Sequence, residues 1–155
     1  KQKKNEYNSA DIISKEKYER FIDYFEKATT AIIFLVTSVE AFFNQLLPDD
    51  IELTIDGESQ SKSSLEWKDL KTKIKSVLPE IEKINFLETN LKDYNNIIEI
   101  QKIRNDLVHL KKETFENKTS YQELIKKVHD IEFDKFVNST KIFMNTVRKD
   151  FIEEE

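Results

Sequence analysis

The stretch Ile103-Arg104-Asn105-Asp106-Leu107-Val108-His109-Leu110 gathers the side chains best suited to chemistry in this chain. It sets a guanidinium, a carboxamide and an imidazole within about a turn and a half of helix. Asn105 and His109 are four apart and share a helix face. Arg104 stands roughly 140° around the axis from His109, a gap that a long side chain can swing across. These groups suit metal-free cleavage of RNA, because that substrate carries its own nucleophile, the ribose 2′-OH. An imidazole takes or gives a proton near neutral pH. A guanidinium clamps phosphate in a bidentate grip and stabilises the charge that builds in the transition state. The carboxamide can orient the phosphate or the histidine. Ile103, Leu107, Val108 and Leu110 would fix the helix in a core, so that a rigid element carries the polar trio.

The surroundings are assigned supporting roles. Between Gln101 and Lys127 seven basic residues face four acidic ones, a local +3 in a chain whose 25 Lys and Arg against 30 Asp and Glu give −5. Lys102, Lys111 and Lys112 are read as substrate-binding side chains in this window. Glu40 and Asp106 are read as accessory residues; an ion-pair partner for Arg104 is open between Asp106, Glu99 and another helix, and Asp106 is either that positioning partner or an ordinary surface charge. Glu40 interrupts an otherwise apolar window and should face a polar partner or a cleft. His129, among charged residues, is read as structural or exposed.

Composition narrows the rest. The absence of cysteine removes thiol nucleophiles, disulfide frameworks and cysteine-based zinc sites. A single glycine leaves no glycine-rich phosphate loop. Two histidines leave little material for a metal centre, although Asp/Glu sites stay open; no metal and no cofactor are expected. One Gly and two Pro also supply few of the turns that a sandwich or an α/β sheet needs. The expectation is an all-α chain of one domain over 1–155: an up-and-down bundle of four main helices.

The first helix is predicted from about Ser14 to Leu47, stopped by Pro48. Its run Ala31–Val36 is apolar nearly all round, which asks for a core on one side and a partner on another. Seventeen interrupted residues, Ala31–Leu47, suit a buried helix better than a membrane span, so no membrane and a cytoplasmic location are expected. Ile51–Ile55 alternates and precedes Asp56-Gly57, a strand and turn amounting to half a hairpin. Ser59–Ser64 is predicted as loop. A second helix capped by Ser64 would bury Trp67, Leu70, Ile74 and Val77 and end or kink at Pro79. A short helical piece follows around Ile81–Leu87, then a third long helix from about Asn90 to Leu110. Ser120 and Glu123 form a capping box for a fourth helix that runs on through Val147.

At Arg104–His109 the sequence resembles the Arg-x4-6-His motif of HEPN domains, with Asn105 in the polar place that follows the arginine. Ser38-Val39-Glu40-Ala41-Phe42-Phe43-Asn44 is similar to the first long helix of many prokaryotic members. The resemblance implies a helical bundle and a metal-independent endoribonuclease, working as a homodimer with two motifs facing across the interface. It implies Arg104, Asn105 and His109 as the catalytic set. It also implies a toxin in a toxin–antitoxin pair or a phage-defence protein, with an antitoxin or defence-system partner. Some members are instead non-catalytic dimerisation or nucleotide- and RNA-binding modules of larger assemblies, and that alternative stays open. The tyrosine that one subgroup carries two positions after the histidine is here Lys111.

Overall fold

The computed structural model describes residues 9–109 and 118–153, with side chains over 15–109 and 123–153. The described residues are mostly helical, with one small two-stranded sheet.

Helix α1, Ser9–Leu46, is the longest element and starts earlier than its periodicity suggests. It ends just before Pro48, which cannot continue the backbone ladder. Strands β1 (Glu52–Ile55) and β2 (Glu58–Ser61) pair antiparallel, Leu53 opposite Gln60 and Ile55 opposite Glu58. The hairpin is therefore complete, and Ser59–Ser61, expected as loop, forms its second strand. Asp56 and Gly57 both have positive φ, 53° and 84°, the handedness that a two-residue hairpin loop needs to match the strand twist.

The expected second helix is broken into pieces. Helix α2 (Lys62–Glu66) begins before Ser64, so Ser64 is inside it rather than capping it. The chain then restarts at α3 (Leu70–Thr72), capped by Asp69, whose carboxylate accepts from the Thr72 backbone N–H at 3.0 Å and the Thr72 hydroxyl at 2.6 Å. A π-helical turn, Lys73–Val77, follows and passes the chain to α4 (Leu78–Glu82). Pro79 follows the π-turn inside a helical run that continues unbroken from Leu70 to Glu82, so it does not end the helix; Val77 and Leu78 before it keep helical dihedrals. Because of the break after α2, Trp67 is 88% exposed, not part of the buried face.

Helix α5 (Phe86–Thr89) is one turn capped by Asn85, and α6 runs over Leu91–Val108. The expected fourth helix is two: α7 (Lys118–His129) and α8 (Phe133–Val147), divided at 130–132. Helix α7 starts at Lys118, so Ser120 lies within it.

Two apolar clusters join these pieces. One packs the second half of α1 (Val39, Phe42, Phe43) against Leu65, Leu70, Ile74 and Val77, α6 (Tyr94, Ile97) and the end of α8 (Phe143, Val147). Phe143 meets Phe86 and Phe42 edge-on, with ring centroids 5.0 and 6.0 Å away; each such pair adds about 0.5–1.5 kcal/mol to the burial itself. The other joins α1 (Ala28, Ile32, Val36), α6 (Ile100, Ile103), α7 (Leu124, Val128) and Phe136 of α8. Helix α1 is thus buried along one side only: Ile32, Val36, Val39 and Phe43 face inward, while Ala31, Ile33, Phe34, Thr37 and Ala41 face out. By length and composition α1 is also apolar enough to cross a membrane.

Candidate functional site

The candidate site is built on α6 and completed from α1. Ile97, Ile100 and Ile103 hold α6 in the core. Arg104, next in sequence, emerges at the boundary between α6 and α1 and pairs there with Glu40. The Arg104 side chain is 19% exposed and that of Glu40 33%, so the pair sits at the edge of the core. The Arg104 Nε is buried and has no hydrogen-bond partner. Glu40, expected to face a polar partner or a cleft, is thus Arg104's direct partner, so that of the three sources open to the sequence (Asp106, Glu99 or another helix) it is another helix that supplies the carboxylate.

Asn105, the next residue, and His109, one turn beyond it, both face solvent. The His109 backbone N–H donates to the Asn105 carbonyl at 2.9 Å and closes the helix. Asp106 points elsewhere. It lies 3.8 Å from Lys127 of α7 and, with Lys102, Glu99 and Lys126, lines a groove of about 490 Å³ between α6, α7 and α8. Lys102 is therefore on the far side of α6 from the Arg104–Glu40 pair. Lys111 and Lys112 lie outside the described residues. His129 is exposed at the end of α7, 2.9 Å from Asp130, and its ring meets that of Tyr24 at a steep angle, with centroids 5.9 Å apart.

A second cation converges on the same side of α1. Asn44 is one turn beyond Glu40, and its side-chain oxygen accepts from Lys73 Nζ at 2.7 Å. Lys73 also donates to the Glu66 carbonyl at 2.7 Å and lies over the Phe43 ring at 5.9 Å. It is only 2% exposed. Burial pushes its amine below the ordinary lysine value; the nearby charges of Glu40, Glu66 and Asp69 oppose that fall. One face of α1 thus carries Glu40 and Asn44 in adjacent turns, the first holding α6 through Arg104, the second holding the π-turn and the end of α2 through Lys73.

Sequence reasoning missed Lys73 and Asn44, yet a signal for Lys73 was present. Leu70, Lys73, Ile74 and Val77 follow helical spacing, and three of the four are plainly apolar, so a lysine in that stripe marks a buried amine needing partners. Among the described residues no group of His, Asp or Glu gathers in a metal-holding arrangement. Comparison with family models, curated proteins and solved structures gives no match for this chain.

Proposed function

We propose that this chain is a metal-independent endoribonuclease of the HEPN type, built as a HEPN-like helical bundle and acting as a homodimer in the cytoplasm. The observation that carries the reading is the fixed Arg104, tied by Glu40 from a second helix, with Asn105 and His109 solvent-facing on the same stretch of α6. In this reading Glu40 aims the guanidinium, whose outward edge takes the scissile phosphate. The 2′-oxygen attacks phosphorus and the bond to the 5′-oxygen breaks. One His109 accepts the 2′-OH proton, and His109 of a second copy protonates the leaving 5′-oxygen. The products are a 2′,3′-cyclic phosphate and a 5′-hydroxyl. Asn105 orients the phosphate or the histidine. The role in a toxin–antitoxin pair or in phage defence follows the same resemblance.

The test is incubation of single-stranded RNA and tRNA with the purified chain in EDTA. Cleavage to cyclic-phosphate ends is expected, together with a loss of about 10²–10⁴-fold in His109→Ala. Cleavage that stops with chelator, or that His109→Ala leaves undiminished, would sink the proposal. One observation favours a non-catalytic binding module instead: Arg104 is mostly buried and already engaged by Glu40. That reading requires RNA or partner binding with no cleavage by the intact protein and no toxicity on expression.

A further inference from the structure

Trp67 is the most exposed large apolar side chain among the described residues, at 88%, and it is the single tryptophan of the chain. Its position is nevertheless fixed. Leu65 on one side and Leu70 on the other are fully buried, and Asp69 caps the next helix. The adjoining Glu66 carbonyl is held by the buried Lys73, which also grips Asn44 one turn from Glu40. A large flat ring is therefore presented to solvent from a rigid base, joined through the two hydrogen bonds of Lys73 to Asn44, one turn of α1 from the Glu40 that pairs with Arg104.

The surroundings are charged and polar rather than apolar: lysines dominate the segment itself, while Ser63 and Glu66 at its start share a hollow with Asp49, Asp50 and Glu52. From Lys62 to Lys75 there are five lysines against Glu66 and Asp69. Lys62 is paired with Asp49 and Lys73 is buried. Lys68, Lys71 and Lys75 have no ion-pair partner among the described residues, and Lys71 and Lys75 are exposed. Ser63 and Ser64 of α2 are exposed as well. An apolar partner would leave these cations desolvated and unpaired. A single-stranded nucleic acid satisfies both features, because its bases stack on aromatic faces while its phosphates take the lysines.

We propose that Trp67 is a base-stacking platform which, with Lys68, Lys71 and Lys75, holds single-stranded RNA for the Arg104 site. The proposal rests on the ribonuclease reading and adds a substrate-binding surface outside its motif. It implies that RNA is bound unpaired, since a base within a duplex cannot offer its face to the ring.

The chain's own fluorescence provides the test, as every tryptophan photon comes from Trp67. The probe is a 2′-O-methyl RNA strand on the order of ten nucleotides long, which lacks the nucleophile and so reports binding without cleavage. Quenching of a solvent-exposed emission is expected on titration. By anisotropy of a labelled strand, Trp67→Ala should weaken binding roughly ten- to a hundredfold, with Trp67→Phe keeping most of the affinity. The melting temperature should not move, because the ring contributes little to the fold. Binding without quenching, or equal affinity in Trp67→Ala, overturns the proposal. So does a blue shift that grows with protein concentration in the absence of RNA, which would assign the ring to a contact between copies. The two readings fail separately. Binding of the modified strand with no cleavage of ordinary RNA removes the ribonuclease and keeps the platform. Cleavage indifferent to Trp67→Ala removes the platform alone.

Discussion

At the scale of single residues, the Arg104–Glu40 pair is asymmetric, and the asymmetry is measurable. Glu40 is the more exposed partner and can turn to water if Arg104 is removed. Arg104 has the poorer alternatives, since its Nε is already buried without a partner. Removing the carboxylate leaves a mostly buried cation uncompensated, whereas removing the cation leaves a carboxylate that can hydrate. Glu40→Gln is therefore expected to cost about 1–3 kcal/mol of unfolding free energy, and Arg104→Met less than that. Urea denaturation of the two variants checks the order; a costlier Arg104→Met would mean that the guanidinium's packing outweighs its charge. How far such a pair was legible depends on the residue. The polar interruption at Glu40 was visible as an anomaly in an apolar run, and so was the need for an arginine partner. That the two belong together was not visible, because they are 64 residues apart and Asp106 offered a nearer carboxylate. Asp106 falls on the wrong side of the helix, where Lys127 meets it.

At the scale of elements, the long helices were readable and the short ones were not, for a definite reason. Helices α1 and α6 bury one stripe over many turns, so their spacing averages out local noise. Between them the chain changes state every few residues. The break after α2 turns Trp67 outward, and the π-turn adds a residue to the register before Pro79. Fixed helical spacing cannot anticipate either, since both are set by what packs beneath them. The split between α7 and α8 escaped for a similar reason, as apolar spacing carries across it without a glycine or proline. Lys73 opens the π-turn and supplies its test. Its amine is held below the ordinary 10.5 by burial, so the native state binds this proton less tightly than the unfolded chain does. Below the lowered value both states are protonated and the desolvation penalty is fully present. As pH rises through the lowered value toward 10.5, the native amine loses its proton first and the penalty is relieved. The stability of the wild type relative to Lys73→Met should therefore climb with pH in that window. Both proteins share Glu40, Glu66 and Asp69, so the difference isolates Lys73. A difference that stays flat or falls would show that the hydrogen bonds to Asn44 and Glu66 outweigh burial.

At the scale of the whole molecule, α1 exposes more apolar surface than a monomer of this size needs to. Phe34 is 69% exposed, with Ile33 and Ala41 beside it on the outward side of the helix. In the proposed two-histidine mechanism two copies must meet, and this strip is the apolar surface that α1 offers for such a contact. Each copy carries −5, so contact between copies brings like charges together. Added salt should screen that repulsion and strengthen an apolar dimer. RNA binding should respond in the opposite direction, because phosphate contacts release counterions and weaken as salt rises. Mass measurement across protein and salt concentration separates the two effects. The expected result is a particle of twice 18.5 kDa that salt favours, whose RNA affinity salt reduces. Phe34→Glu should give the monomer and abolish cleavage, with a stability change within about 0.5 kcal/mol because the ring contributes little to the core. Retained cleavage in a monomeric Phe34→Glu protein would remove the facing-histidine mechanism, leaving Arg104, Asn105 and a single His109 to act within one chain.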